Sequence, residues 1–85
     1  MSAVTIYTTR FCPYCVRAKQ LLSSKQVHFT EVPVDGRNDL RQDLLSRTGQ
    51  RTVPQIWVGD THVGGCDELF ALERGGKLDA MLAAS

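Results

Sequence analysis

The sequence predicts an α/β fold with element order β-α-β-α-β-β-α, a four-stranded mixed sheet flanked by helices. Three observations carry this expectation. Short runs rich in β-branched and apolar residues alternate with longer runs of helical periodicity. The first half has strand–helix–strand form, which demands parallel strands and a right-handed crossover. The second half holds two short strands separated only by Gly59-Asp60, which reads as a tight hairpin. A chain of 85 residues makes one small domain, taken as residues 1–85.

Each element has its own signal. Ala3 to Thr8 reads as a buried first strand. Pro13 to Ser24 reads as a helix with Cys15, Ala18, Leu21 and Leu22 on one face at helical spacing. His28 to Val34 sets Phe29, Val32 and Val34 among polar residues and reads as the second strand, closed by the turn signal Asp35-Gly36. Asn38 to Thr48 reads as the second helix, with Leu40, Leu44 and Leu45 inward and Gly49 as its stop. Pro54 to Val58 and Thr61 to Val63 are the hairpin strands. Asp67 reads as the N-cap of a helix through Glu73, stopped by Gly75-Gly76. Lys77 to Ala84 adds a last helical turn or two.

Composition narrows the function classes. The 42% hydrophobic and 22% charged content suits an ordinary soluble domain. A net charge of +1 offers no basic surplus for nucleic acid or an anionic membrane. No apolar run approaches the ~18 residues of a membrane-spanning helix. Met1-Ser2-Ala3-Val4 opens no secretory signal, so a reducing cytoplasm is the expected compartment. Three cysteines, an odd number, make a poor disulfide framework. With no heptad pattern and no long apolar edge, a monomer is expected.

The chemistry centres on Cys12-Pro13-Tyr14-Cys15, between the first strand and the first helix. A C-x-x-C pair at a strand-to-helix turn is a thioredoxin-like redox arrangement. The first turn of a helix leaves backbone N–H groups unpaired and carries partial positive charge, which favours a thiolate there. Pro13 fits the first helical position, where its missing N–H costs nothing. Arg10, Arg17, Lys19 and Lys25 all precede the first acid, Glu31, so the pair sits among basic residues. That bias suits a thiolate and an anionic substrate, and it equally describes a solvated helix face.

Three elements, Cys12-Pro13-Tyr14-Cys15, Thr52-Val53-Pro54 and Gly64-Gly65-Cys66-Asp67, give the chain a resemblance to dithiol glutaredoxins of the bacterial glutaredoxin-3 type. The resemblance covers essentially the whole chain and implies the thioredoxin fold. It implies a glutathione-dependent thiol–disulfide oxidoreductase that reduces protein disulfides and glutathione mixed disulfides. Glutathione would be a co-substrate, with no tightly bound cofactor and no metal. Disulfide-containing or glutathionylated proteins would be the partners, with ribonucleotide reductase as a family-level recipient in cell redox homeostasis.

The resemblance also assigns roles. Cys12 resembles the nucleophile and Cys15 the resolving cysteine, the two forming the redox-active disulfide. Tyr14 resembles the residue flanking the bound tripeptide. Thr52-Val53-Pro54 resembles the segment that pairs with its cysteinyl unit, with a cis Val53–Pro54 bond. Gly65, Cys66 and Asp67 resemble the receiver of the γ-glutamyl end. Arg41 lies where the family faces the glycine carboxylate. The family's usual lysine, three residues before the first cysteine, is Thr9 here, and the neighbouring Arg10 is the candidate replacement.

Plainer readings stand beside these. Two cysteines can be small buried residues. Pro54 can simply start an edge strand. Asp67 can be an ordinary helix cap. Cys66 reads as a small buried residue, with a regulatory thiol as its alternative. His28 and His62 share no ligand spacing with the cysteines and read as surface or half-buried strand positions. Trp57 and Met81 read as core, Arg47 and Arg51 as solvated. From the residues, Cys12 should be partly exposed and Cys15 inward beside Ala18 and Leu22, which makes Cys12 the attacker. The alternative function is a metal or iron–sulfur carrier using Cys12. One C-x-x-C supplies two thiolates where a structural zinc site takes four ligands, so that reading needs a dimer or outside thiols.

Overall fold

The structure, a computed structural model, describes residues 3–83. Its elements run β1 (Val4–Thr8), α1 (Pro13–Ser24), β2 (Phe29–Pro33), α2 (Asn38–Thr48), β3 (Gln55–Val58), β4 (Thr61–Gly64), α3 (Cys66–Arg74) and α4 (Leu78–Ala83). The helices α1 and α2 have the predicted bounds. The strands are trimmed: Ala3, His28, Val34 and Pro54 lie just outside them, and β4 continues to Gly64. The predicted end of the last helix at Ala84 lies outside the described residues.

The sheet order is β2-β1-β3-β4. β1 pairs in parallel with β2, Val4 opposite Phe29, and antiparallel with β3, Val4 opposite Val58. β3 and β4 form the hairpin through Gly59 (φ 60°), with a register shift that leaves Val63 as an extra residue between His62 and Gly64. β1 and β3 are the inner strands, and all four residues of β3 are buried.

Alternation along the inner strands divides the core in two. Val4 and Ile6 of β1 join Ile56 and Val58 of β3 on one face, against Ala18 and Leu22 of α1, Leu69 of α3, and Leu78 and Leu82 of α4. Tyr7 and Trp57 point to the other face and pack with Val34 and Leu44. Helices therefore cover both faces, with α2 alone on the second. Only Leu44 of α2 is fully buried, and Leu45, expected inward, is exposed. Its neighbour Leu44 takes the central inward position, and Leu40, one turn earlier, packs half-buried against the same core. Gly49 ends α2 in the left-handed region (φ 73°), its N–H donating to the Leu45 carbonyl at 2.8 Å.

Two long cationic side chains tie elements together. Lys25, just past α1, meets Glu73 at 2.6 Å and Asp79 at 2.9 Å and so links α1 to α3 and α4. Arg47, expected to be solvated, lies 4.4 Å from the Trp57 ring centroid and donates to the Tyr7 hydroxyl at 3.1 Å. Its guanidinium stays partly in water while its plane covers an aromatic face. Among the described residues, no helix is long and apolar enough to cross a membrane.

Glycine is required most strictly at Gly64. Its φ is +116°, and a Cβ there would stand 2.6 Å from Glu68 Oε1 and 2.9 Å from its Cγ. Gly64→Ala should lower unfolding stability by about 1–3 kcal/mol through backbone strain and displacement of Glu68. Gly49→Ala has open space around its Cβ and should cost less, about 1 kcal/mol for the left-handed backbone alone. Urea melts of both variants measure this order; equal losses would mean that Glu68 moves aside freely.

Candidate active site

The site forms where β1 hands the chain to α1. Cys12 is the N-cap residue of α1, extended at φ −131° and ψ 100°, and Pro13 follows at the helix start. The Cys12 Sγ accepts the Cys15 N–H at 3.1 Å, and the Cys12 carbonyl accepts from Val16 N at 3.1 Å. Sulfur thus fills the capping role usually taken by a side-chain oxygen. A backbone N–H aimed at Sγ from a helix terminus favours negative charge on that sulfur.

Exposure follows the expected order with a smaller contrast. Cys15 is 1% exposed and Cys12 9%. The expectation of a partly exposed Cys12 is corrected: the 52–54 segment covers it, and its thiol donates to the Val53 carbonyl at 3.7 Å. The Val53–Pro54 bond is cis. Burial, then the hydrogen bond to the Cys12 side chain, pushes the Cys15 thiol up to about 12. Burial also raises the Cys66 thiol, against an opposing pull from Arg17. Cys15 and Cys66 are therefore held protonated.

The predicted basic neighbourhood is largely committed elsewhere. Lys19 pairs with Glu31 at 3.0 Å. The Thr8 hydroxyl at 2.7 Å, and secondarily Lys19, hold the Glu31 carboxyl below its usual range. Arg17 lies 5.3 Å from the Phe70 ring centroid.

An open cleft of about 190 Å³ runs past Tyr14 and Val53, which neighbour Cys12, though neither Cys12 nor Cys15 lines it; it is smaller than the roughly 300–1,000 Å³ of enclosed small-molecule sites. One wall is Thr52, Val53 and Pro54, the other Gly65, Cys66 and Asp67, with Tyr14 also lining it. The two walls touch closely: a Cβ on Gly65 would lie 3.3 Å from the Pro54 carbonyl. Three separate sequence segments are thereby brought to one groove. Arg10 is not in it. The Arg10 N–H donates to the Asp35 carboxylate at 3.0 Å and 3.1 Å, in a separate hollow with Thr9 and Lys19. Arg41 sits on α2, outside the residues lining the cleft.

Asp67 was expected to cap α3, and the structure corrects this. The N-cap is Gly65, and Asp67 is the second helical residue, with its side chain exposed. Glu68 does the capping, its Oε1 accepting the Gly65 N–H at 2.8 Å. The Gly-x-x-Glu spacing carries that signal. Freed from capping, the Asp67 carboxylate remains on the cleft wall. Gln50 and Gln55 also line the cleft without having been anticipated. Among the described residues, no group of three or more His, Cys, Asp or Glu is placed to hold a metal ion.

A family model for glutaredoxins matches residues 4–63. This chain belongs to the glutaredoxin family. It is 62% identical to the glutaredoxin of Pseudomonas aeruginosa over 84 residues, covering 99% of this chain and 100% of that protein. It is 52% identical to glutaredoxin 3 of Escherichia coli K12 over 82 residues, covering 96% and 99% respectively. The crystal structure of the buckwheat glutaredoxin–glutathione complex superposes with a TM-score of 0.87 at 35% identity, covering 93% of this chain and 74% of that one. This glutaredoxin is thus a thioredoxin-fold, glutathione-dependent thiol oxidoreductase, with glutathione as co-substrate and disulfides as substrates.

The raised Cys15 value gives this glutaredoxin a pH signature. The folded protein keeps the Cys15 proton up to about pH 12, whereas an ordinary thiol loses it near 9.0. The unfolded chain therefore binds fewer protons between those limits. Stability of the reduced form is intact below about pH 9 and falls as pH rises, by up to roughly 1.4 kcal/mol per pH unit for one thiol. Cys66 adds in the same direction. Urea midpoints of the reduced protein from pH 8 to pH 10.5 should fall more steeply for wild type than for Cys15→Ala. Parallel curves would refute this account of the buried thiol.

Proposed function

We propose that the Cys12–Cys15 dithiol of this glutaredoxin reduces glutathione mixed disulfides with one thiol and protein disulfides with both. The observation that carries this is the Cys12 sulfur, capped by the Cys15 N–H at 3.1 Å and facing the Val53 carbonyl at the cleft. As a thiolate, Cys12 attacks the glutathione sulfur of a mixed disulfide; the protein thiolate leaves and takes up a proton. Glutathione then attacks the Cys12–glutathione disulfide, releasing glutathione disulfide and restoring the Cys12 thiolate. With a protein disulfide, Cys12 forms a mixed disulfide to one protein sulfur. Cys15 then attacks Cys12, its proton passing to the departing thiolate. Two glutathione molecules later reduce the Cys12–Cys15 disulfide. Cys15, protonated and buried, does not compete for the first attack.

The cleft suits an extended thiol tripeptide on the same reading. Val53 presents backbone to its cysteinyl unit between Tyr14, Thr52 and Pro54. Asp67 receives the γ-glutamyl ammonium, and the unpaired first-turn N–H groups of α3, at Cys66 and Asp67, receive the neighbouring carboxylate. Arg41 adds positive charge for the glycine carboxylate from α2, and Arg10 supplies a weaker field from the adjoining hollow. The family kinship supports a single functional unit over residues 1–85, cytoplasmic action as a monomer, and ribonucleotide reductase among the recipients.

Cys12→Ser should abolish all exchange. Cys15→Ser should retain reduction of a glutathione mixed disulfide and lose most dithiol reduction of protein disulfides. Assaying both substrates decides the roles; a Cys12→Ser protein with residual turnover reverses them.

Asp67→Ala should raise the glutathione KM about tenfold, since a hydrogen bond to a charged partner contributes about 1.5–3 kcal/mol. Arg41→Ala, lying off the cleft, should raise it by less. Unchanged KM values together with a lower melting temperature for Asp67→Ala would mean a structural role only.

A further inference from the structure

Among the described residues, the exposed large apolar side chains are Phe11, Tyr14, Val16 and Leu45. All but Leu45 lie between Phe11 and Val16, on the turn and first helical turn that carry Cys12 and Cys15. Phe11, immediately before Cys12, is 90% exposed, against 36% for Leu45. Folding does not account for that ring. Among the described residues Phe11 packs in neither core and meets no other aromatic ring, and Arg17 covers Phe70 instead of it. A phenyl ring left in water forgoes the stabilisation that burial would give. A cluster of such side chains around a reacting atom marks a contact surface.

A substrate must arrive at this same stretch. The Cys12 Sγ is engaged by the Cys15 N–H at 3.1 Å and the Val53 carbonyl at 3.7 Å, and Cys12 is only 9% exposed. Its attack on a disulfide needs a substrate sulfur brought into contact, which carries the residues beside that sulfur onto the rim around Cys12. Phe11 precedes Cys12 in the chain, and Val16 stands one turn on, its N–H donating to the Cys12 carbonyl at 3.1 Å. Tyr14 lines the cleft, whereas Phe11 and Val16 lie outside it. A tripeptide seated in the cleft therefore leaves them uncovered, and a longer polypeptide does not. Arg10 and Arg17 are exposed in the same stretch, and neither has an ion pair among the described residues, while Lys19 is held by Glu31.

We propose that Phe11 determines specificity among polypeptide substrates, docking an apolar side chain that flanks the substrate half-cystine. The occupant is a segment of a disulfide-bonded protein whose half-cystine has apolar and acidic neighbours, the acids meeting Arg10 and Arg17. This rests on the reading of Cys12 as the attacking sulfur. Attack forms a Cys12–substrate disulfide and breaks the substrate's own, and the released substrate thiolate takes up a proton. Phe11 then holds the flank of the sulfur that stays attached until Cys15 displaces it. An aromatic ring suits this role because it covers much area with few rotatable bonds. A glutathione mixed disulfide of a small thiol reaches Cys12 with no polypeptide flank, so Phe11 contributes nothing to that reaction.

The test measures single-turnover rate constants of the reduced protein on three substrates. They are the mixed disulfide of glutathione with 2-mercaptoethanol, a peptide disulfide with Leu and Glu beside its half-cystines, and the same peptide with Ser and Lys there. Wild type should reduce the Leu/Glu peptide on the order of tenfold faster than the Ser/Lys peptide. Phe11→Ser should lose about tenfold on the Leu/Glu peptide, which is about 1.4 kcal/mol, with little change on the other two substrates. Phe11→Trp should restore the rate. Phe11→Ser should melt with wild type, since the ring is exposed, and Leu45→Ser should match wild type on every substrate. Equal losses on all three substrates would make Phe11 a support for Cys12 itself and overturn the proposal, as would no loss on any. A wild-type dimer in sedimentation that Phe11→Ser abolishes would assign the patch to a second copy. Binding to phosphatidylglycerol vesicles that Phe11→Ser abolishes would assign it to a membrane, and either result overturns the proposal. A Cys12→Ser protein that still turns over would instead sink the reading of the attacking sulfur, and the proposal with it.

Discussion

The first N–H groups of α1 need an acceptor, and the Cys12 sulfur supplies one. Ser, Thr, Asp and Asn usually fill that position because their oxygens reach the N–H two or three residues on. Sulfur is larger and softer, yet its 3.1 Å contact with Cys15 N satisfies the same geometric need. One contact thus does two things. It ends the loop and starts the helix, and it places the Cys12 sulfur at the positive end of the helix dipole. The second cysteine is then fixed one turn on, facing inward with Ala18 and Leu22 into the main core. The asymmetry between the thiols follows from helix geometry.

β3 connects this terminus to the rest of the molecule. Its residues alternate between the two cores, Ile56 and Val58 on one side and Trp57 on the other. Gln55 begins the strand on the Trp57 side and turns its amide back toward the 50–52 segment. The chain that precedes β3 passes Cys12, and the chain that follows the hairpin returns as Gly64 and Gly65 beside Pro54. A cleft between two backbone segments needs glycine on one wall, and here a Cβ would crowd either Glu68 or Pro54.

Charge is used locally. Lys19, Lys25 and Arg47 each find an acid or an aromatic face, which joins helices or covers Trp57. Lys19 and Arg17 still pull on Cys15 and Cys66 through their charge, in each case against the larger effect of burial. The cleft itself offers backbone N–H groups and side-chain amides, with no arginine among its lining residues. Such donors are weaker than an arginine, but they are fixed and carry directional preference.

Much of the fold was legible in the sequence because its signals are local. The bounds of α1 and α2 follow from Pro13 and Gly49, and the hairpin follows from Gly59 between two apolar runs. The cysteine pair at a strand-to-helix turn was readable for the same reason. Burial of Leu44 but not Leu45 was not, since the width of the face α2 presents depends on how far the second core extends. Nor was the exchange of roles at α3, where Glu68 caps and Asp67 stays free, because Gly65 rather than Asp67 takes the extended backbone. Arg10 and Arg41 looked equivalent to cleft residues in the chain, and only tertiary placement sets them outside it. Gln50 and Gln55 showed no periodic signal at all. The Thr52 carbonyl, the Gln55 amide and the His62 imidazole meet from the segments before, within and after one strand, and hydrogen-bond direction among such groups exists only once the chain has folded.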